Sequence, residues 1–269
     1  RNTVQLQDVI LSNGTTKDIP LDLLNSDNVK GLQFDLTLPK ESKTFSWTLT
    51  ADGSSDYVFA EKDNAKDPDL VHYVGDKINF INNAGSTHPL YIVTKNDSGY
   101  DVANELSGVV NQGASSGTVS LDLSDVLPGT YYYICSNHKA MQGTIKVFPK
   151  FSISIDKSYL NTERVSDFNI SKSTLGPLKY RFLLYSDTSS IISGNKGNLL
   201  NIPLGLASIS NTAMDFVDGK YEISLENVII SSKDNTDVST LETTNSEIII
   251  SSENIFDPVI DPNQSVSLK

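Results

Sequence analysis

In the run GLQFDLTL, the residues Leu32, Phe34, Leu36 and Leu38 alternate with Gln33, Asp35 and Thr37. A period of two is the side-chain repeat of a β-strand with one dry and one wet face. The same kind of run recurs in KINFIN, TYYYI, GTIKVF, YRFLLYS, LLNIPL, YEISLENVII and SEIIIS. Clusters of Asn, Asp, Gly and Ser separate these runs, and no segment of helical period is long or clean. The chain is therefore predicted to be all-β.

A chain of 269 residues forms one large or two ordinary β domains without covalent staples. Its single cysteine, Cys135, permits no intrachain disulfide. Thirty-three acidic residues against twenty-one basic ones give a net charge of −12, which argues against nucleic acid or an anionic lipid surface as partner. No apolar run reaches the length of a membrane span. The start at Arg1, without a leader, leads us to expect a mature or excised segment of a longer product.

Two similar tripeptides, Leu38-Pro39-Lys40 and Phe148-Pro149-Lys150, bracket a segment that holds all three histidines and the cysteine. Residues 1–40 supply about three strands, too few to close a sandwich, and residues 151–250 supply several more. The expected organisation is a discontinuous sandwich of residues 1–40 plus 151–251, interrupted by a domain of residues 41–150 and followed by a tail or linker at 252–269. Insertion at a surface turn is tolerated when the guest's ends lie close together.

Within the insert, CSNHKAM places the only cysteine, a histidine and one of the two methionines within seven residues. About 45 residues earlier, GDKINFINNAGSTHPLYI sets His88 after a strand and a turn. Two strand ends converging on one metal would bring together a thiolate, two imidazoles and a thioether, a set that suits copper. The bland readings are a core cysteine and satisfied histidines. His72, in LVHYVGD, is expected to face solvent. The acidic stretch Glu61–Leu70 lacks the calcium-loop spacing and is expected to be a solvated loop. Of the three consecutive tyrosines, Tyr131 and Tyr133 should share one face and Tyr132 the other.

The motifs NAGSTH, PGTYYYIC and MQGTIKV, in this order, resemble those of cupredoxins, and the spacing C-x-x-H-x-x-M is similar to that of amicyanin. The resemblance spans roughly residues 43–149 and implies a Greek-key sandwich holding one copper ion, Cu(I) or Cu(II), through His88, Cys135, His138 and Met141. The outer pieces NVKGLQFDLTLP, YRFLLYSDTSSIISGNKGNLLNIPL and GKYEISLENVIIS resemble the cohesin-like, carbohydrate-binding-module-like β-sandwich of bacterial surface and scaffolding proteins. That resemblance implies a fold that binds other proteins, often dockerins, or serves adhesion; no partner surface is carried over.

The cupredoxin resemblance implies a non-enzymatic type 1 copper protein that transfers single electrons to a redox partner. Nothing in the chain suggests a catalytic residue, a phosphate loop or a second cofactor. The alternative is a structural or adhesive module of a cell or virion surface with bound or relic copper. A copper–thiolate site and a lone cysteine suit a periplasmic, cell-surface or extracellular location. Pro89 follows His88 and has no amide to offer the sulfur, so a hydrogen bond from the Asn137 amide to Cys135 is expected in its place.

Overall fold

The alternating runs form two β-sandwiches, one nested within the other. The structure, a computed structural model, describes residues 1–12, 14–207, 218–232 and 241–251. Four strands come first: β1 (Asn2–Leu6), β2 (Val9–Leu11), β3 (Thr16–Leu24) and β4 (Val29–Thr37). Nine follow within the insert: β5 (Thr44–Asp52), β6 (Asp56–Phe59), β7 (Ala65–Lys66), β8 (Leu70–Tyr73), β9 (Lys77–Asn82), β10 (Leu90–Val93), β11 (Gly117–Asp122), β12 (Gly129–Cys135) and β13 (Gln142–Phe148). The chain then resumes with β14 (Phe151–Ile153), the short helix α1 (Thr162–Val165), β15 (Asn169–Gly176), β16 (Lys179–Tyr185), β17 (Lys196–Leu206), β18 (Gly219–Ser232), β19 (Leu241–Thr244) and β20 (Ser246–Ile250).

In the host, the sheets run β14-β17-β3-β1-β19 and β15-β16-β4-β18-β20-β2. Each draws strands from both sides of the insert, because four N-terminal strands cannot bury their apolar faces alone. Phe34 on β4 stacks on its ladder partner Phe182 on β16, with ring centroids 5.0 Å apart, within a core that includes Leu21, Leu36, Ile202 and Ile223. The expected tail at 252–269 lies outside the described residues.

Arg164 on α1 pins the host together. Its guanidinium donates to the carbonyl oxygens of Ser193 (2.8 Å), Leu23 (2.9 Å) and Gly197 (2.6 Å) and to Asn25 Oδ1 (2.8 Å). The residue is only 8% exposed, and burial lowers its pKa from the usual guanidinium value.

In the guest, the sheets run β10-β12-β13-β8 and β11-β9-β5-β6-β7, and no ladder joins them to the host sheets among the described residues. β9 runs parallel to β5, so that Phe45 faces Ile78, Trp47 faces Phe80 and Leu49 faces Asn82. An aromatic cluster fills the core between the sheets: Tyr133 lies 5.1 Å from Phe59 and 6.1 Å from Phe80, centroid to centroid. Gly143 opposite Tyr133 leaves the room this ring needs, since a Cβ there would fall 2.1 Å from the tyrosine hydroxyl. Tyr133 is buried while its neighbours Tyr131 and Tyr132 are half-buried, and Tyr131 packs against the core.

His72 departs from expectation. β8 pairs with β13 so that Leu70 and His72 stand opposite Ile145 and Val147, the inward residues, and His72 is 1% exposed rather than facing solvent. Its ring packs edge-on against Phe45 at 4.7 Å, and its Nδ1 lies 3.6 Å from buried Asp76. Pleat register outweighs side-chain polarity here.

Candidate metal centre

β9 ends at Asn82, and the chain turns through Asn83, Ala84 and Gly85 before His88. Asn82 is fully buried and organises the turn: its Oδ1 accepts the Ala84 N–H at 3.0 Å, and its Nδ2 donates to the His88 carbonyl at 2.9 Å and to Ala114 O at 3.0 Å. Gly85, at φ 103°, takes the left-handed conformation the turn needs, and its carbonyl accepts the His88 amide at 3.0 Å. The other loop begins where β12 ends. Leu90 pairs with Cys135 across β10 and β12, which sets the first-histidine loop beside the cysteine. The cysteine loop is closed by two backbone bonds, Cys135 N–H to Met141 O at 3.0 Å and Met141 N–H to His138 O at 3.1 Å.

These turns bring His88, Cys135 and His138 together, with one ligand-type atom from each lying within 4.8 Å of the others. The two imidazole rings are 4.7 Å apart, and Cys135 Sγ lies 3.5 Å from His138 Nδ1. Cys135 is 3% exposed, His88 7%, and Met141 is fully buried at the foot of the same loop. His138 is half-buried beside exposed Lys139 and Ala140.

His88 Nδ1 is buried and has no hydrogen-bond partner. Burial, and then the positive charge of His138, push the His88 pKa down and favour the neutral imidazole, the form that ligates metals. An orphaned imidazole nitrogen beside a thiol and a second imidazole is a donor set that fits a soft or borderline metal ion such as copper.

The expected bond from the Asn137 amide to the sulfur is not formed. The Asn137 side chain instead crosses to the other loop, where its Nδ2 donates to Thr87 O at 2.9 Å. Cys135 Sγ has two polar neighbours, His138 Nδ1 and Thr87 O, the latter at 4.0 Å. A side chain that reaches across ties the two loops together, and the main-chain amide makes no bond to the sulfur.

Two residues beneath the site were missed by the sequence reading. Tyr57 on β6 is fully buried and donates its hydroxyl to the carbonyls of His88 (3.2 Å) and Pro89 (3.3 Å). Asp67, within the acidic stretch read as solvated, is half-buried: its carboxylate accepts the Tyr57 N–H at 2.9 Å and the Gln142 N–H next to Met141. An aromatic at alternate positions in DYVF and an aspartate before a proline were the only signals, and neither is specific.

Burial pushes the Asp67 carboxyl up to about 6, the two amide bonds opposing it. Because the folded value lies above the ordinary carboxylate value, this group contributes stability below that ordinary value and loses it as pH rises through about 6. After allowance for partial solvent access, the loss is about 1–2 kcal/mol between pH 4 and pH 7. In the Asp67→Asn variant this loss should vanish. Urea unfolding of parent and variant at both pH values checks it, and a stability difference that does not change with pH refutes it.

Residues 66–148 match the family of copper binding proteins, plastocyanin/azurin family. The guest thus carries a cupredoxin-like, copper-binding-family domain, with the His88, Cys135 and His138 cluster in the matched region. No curated protein matches the chain. Among solved structures, the chain is similar to a non-cellulosomal cohesin from the hyperthermophilic archaeon Archaeoglobus fulgidus, at 9% identity, with 94% of each chain covered and a TM-score of 0.43. It is also similar to the seventh ScaB type I cohesin from Pseudobacteroides cellulosolvens, at 11% identity, covering 95% of this chain and 96% of that one, with a TM-score of 0.40. A third is CaCohA2 from Clostridium acetobutylicum, at 12% identity, covering 93% and 92%, with a TM-score of 0.40.

Proposed function

We propose that this chain is a type 1 copper protein whose guest domain binds one copper ion through His88, Cys135, His138 and Met141 and passes single electrons without catalysing a bond-making reaction. The observation that carries the reading is the buried convergence of the two imidazoles on the lone thiol, with His88 Nδ1 left without a partner. Copper supplies a one-electron couple; the chain supplies a fixed ligand frame. Hydrogen bonds hold both loops: Asn82 and Tyr57 on one side, the Cys135–Met141 backbone pair on the other, and Asn137 between them. A preformed frame reduces the rearrangement that accompanies a change of charge.

Titration of the purified protein with Cu(II) tests the reading. An intense visible thiolate-to-copper band at one equivalent, followed by a reversible one-electron wave, supports it; a colourless complex refutes it. Half-buried His138, next to exposed Ala140, supplies the route to the surface. Ala140→Glu should slow electron exchange with ferricyanide about tenfold at low salt while leaving the visible spectrum intact. An unchanged rate places the port elsewhere.

A second reading is favoured by the host. On its six-stranded sheet, Leu183 and Ile229 flank Gln33 in the ladder and remain 43% and 58% exposed. Such a patch suits a protein partner, as the cohesin-like resemblance implies. In that reading the host is an adhesive or scaffolding module and the copper domain its passenger. We place either form outside the cytoplasm, in the periplasm or at a cell or virion surface, on the chemistry of a lone copper-binding thiol. No helix among the described residues is long and apolar enough to cross a membrane.

A further inference from the structure

Two loops carry the site, and one side chain joins them. Asn137 stands between Cys135 and His138, and its Nδ2 donates at 2.9 Å to Thr87 O, the carbonyl just before His88. Apart from the 4.0 Å contact of Cys135 Sγ with that same oxygen, this is the one hydrogen bond between residues 83–89 and 136–141 among the described residues. The amide has a single sensible orientation. Thr87 O can only accept, so the nitrogen must face it, and Asn137 Oδ1 is left to accept the Ser136 hydroxyl at 3.4 Å.

Each main-chain oxygen of Thr87, His88 and Pro89 has a donor. His88 O takes Asn82 Nδ2 at 2.9 Å and the Tyr57 hydroxyl at 3.2 Å, and Pro89 O takes the same hydroxyl at 3.3 Å. Those donors are buried within the body of the guest, whereas the donor to Thr87 O comes from the exposed rim of the facing loop. Thr87 O is also the oxygen that borders the sulfur. The cluster otherwise presents two imidazoles and a thiol, with the thioether of Met141 at its foot. Nitrogen and sulfur donors select copper and other soft or borderline ions, whereas carbonyl oxygens suit harder ones. A free carbonyl at the edge of this set would weaken that selection.

We propose that Asn137 is a specificity-determining residue of the metal centre: by occupying Thr87 O from the opposite loop, it fixes the His88 loop beside Cys135 and keeps the adjacent backbone oxygen out of the donor set. This rests on the copper reading above and adds to it a reason for the choice of metal. Removing the amide frees one oxygen and loosens one loop, and both changes act against Cu(I) more than against a harder ion.

The test measures affinities for Cu(I) and Co(II), by competition with a chromophoric chelator, in the parent, Asn137→Ala and Asn137→Gln. Asn137 is exposed, so neither substitution touches the core. Asn137→Ala should lower the ratio of Cu(I) to Co(II) affinity about tenfold, the low end of the effect of lost supporting groups around a metal. Asn137→Gln retains an amide donor and should recover part of that ratio. Two results overturn the assignment: a ratio in Asn137→Ala equal to that of the parent, or the same fold loss for both ions, which would mark a mechanical tie without selectivity. A parent that gives no visible band with Cu(II) overturns the copper reading itself, and this inference with it.

Discussion

Cys135→Ser should abolish the intense visible band of the copper-loaded protein completely, while the protein still folds. The hydroxyl of serine is a harder donor than a thiolate and is not ionised at neutral pH, so neither the charge-transfer band nor soft-metal selectivity survives. Copper affinity should fall by more than the roughly 10–100-fold typical of lost supporting groups around a metal. The fold should persist because the position is held by the backbone, through the ladder to Leu90 and the bond to Met141 O. A buried hydroxyl at a site only 3% exposed costs about 1–3 kcal/mol if unpaired. Absorbance at one equivalent of Cu(II), with a thermal melt of the metal-free variant, checks both halves. A band of parental intensity would remove Cys135 from the ligand set.

Arg164→Met should cost the host about 3–5 kcal/mol, because several acceptors lose their donor and each one left buried and unpaired costs about 1–3 kcal/mol. The guanidinium joins Leu23 and Asn25, on one side of the insert, to Ser193 and Gly197, on the other. Methionine replaces the aliphatic stem but leaves the carbonyls of Leu23, Ser193, Gly194 and Gly197 and the Asn25 amide oxygen without those donors. Arg164→Lys should rescue little, because one ammonium cannot span a fork of acceptors. At about 2–4 °C per kcal/mol the melting temperature should drop by roughly 10 °C. The spectrum of the copper-loaded guest below the melt should not change. A drop of less than about 2 °C would show that the network is replaceable.

The all-β class and the two nested sandwiches were legible in the alternating runs and in the strand deficit of the N-terminal piece, since both follow from period and from counting. The His88, Cys135 and His138 cluster was legible because rare residue types recur at strand ends with a fixed spacing. His72 was misread because polarity suggests exposure, whereas the ladder to Val147 decides which face it occupies. The Asn137 contact was misread because spacing shows which residue is near the sulfur and leaves open whether its main chain or side chain does the bonding. Tyr57 and Asp67 were invisible because their roles come from β6 and from the loop before β8 meeting beneath two distant turns, a long-range contact without local signature.

The guest is held by two covalent links at the same end. The Val74 amide bonds Phe148 O and the Lys77 amide bonds Lys43 O, so the chain's entry and exit lie together. Cys135 lies six residues along β12 from Gly129, the partner of Val147, a span of roughly 20 Å. The tip that carries His88, Cys135 and His138 therefore stands away from the attachment, on a body that cannot spin about a single bond. In the electron-transfer role proposed above, a domain on one flexible leash would find its partner by tumbling, and a doubly linked one gives up that freedom. Its bearing then follows that of the host. Inserting a long glycine–serine stretch at one of the two junctions, like cutting it, should leave a single link and set the tip free to swivel.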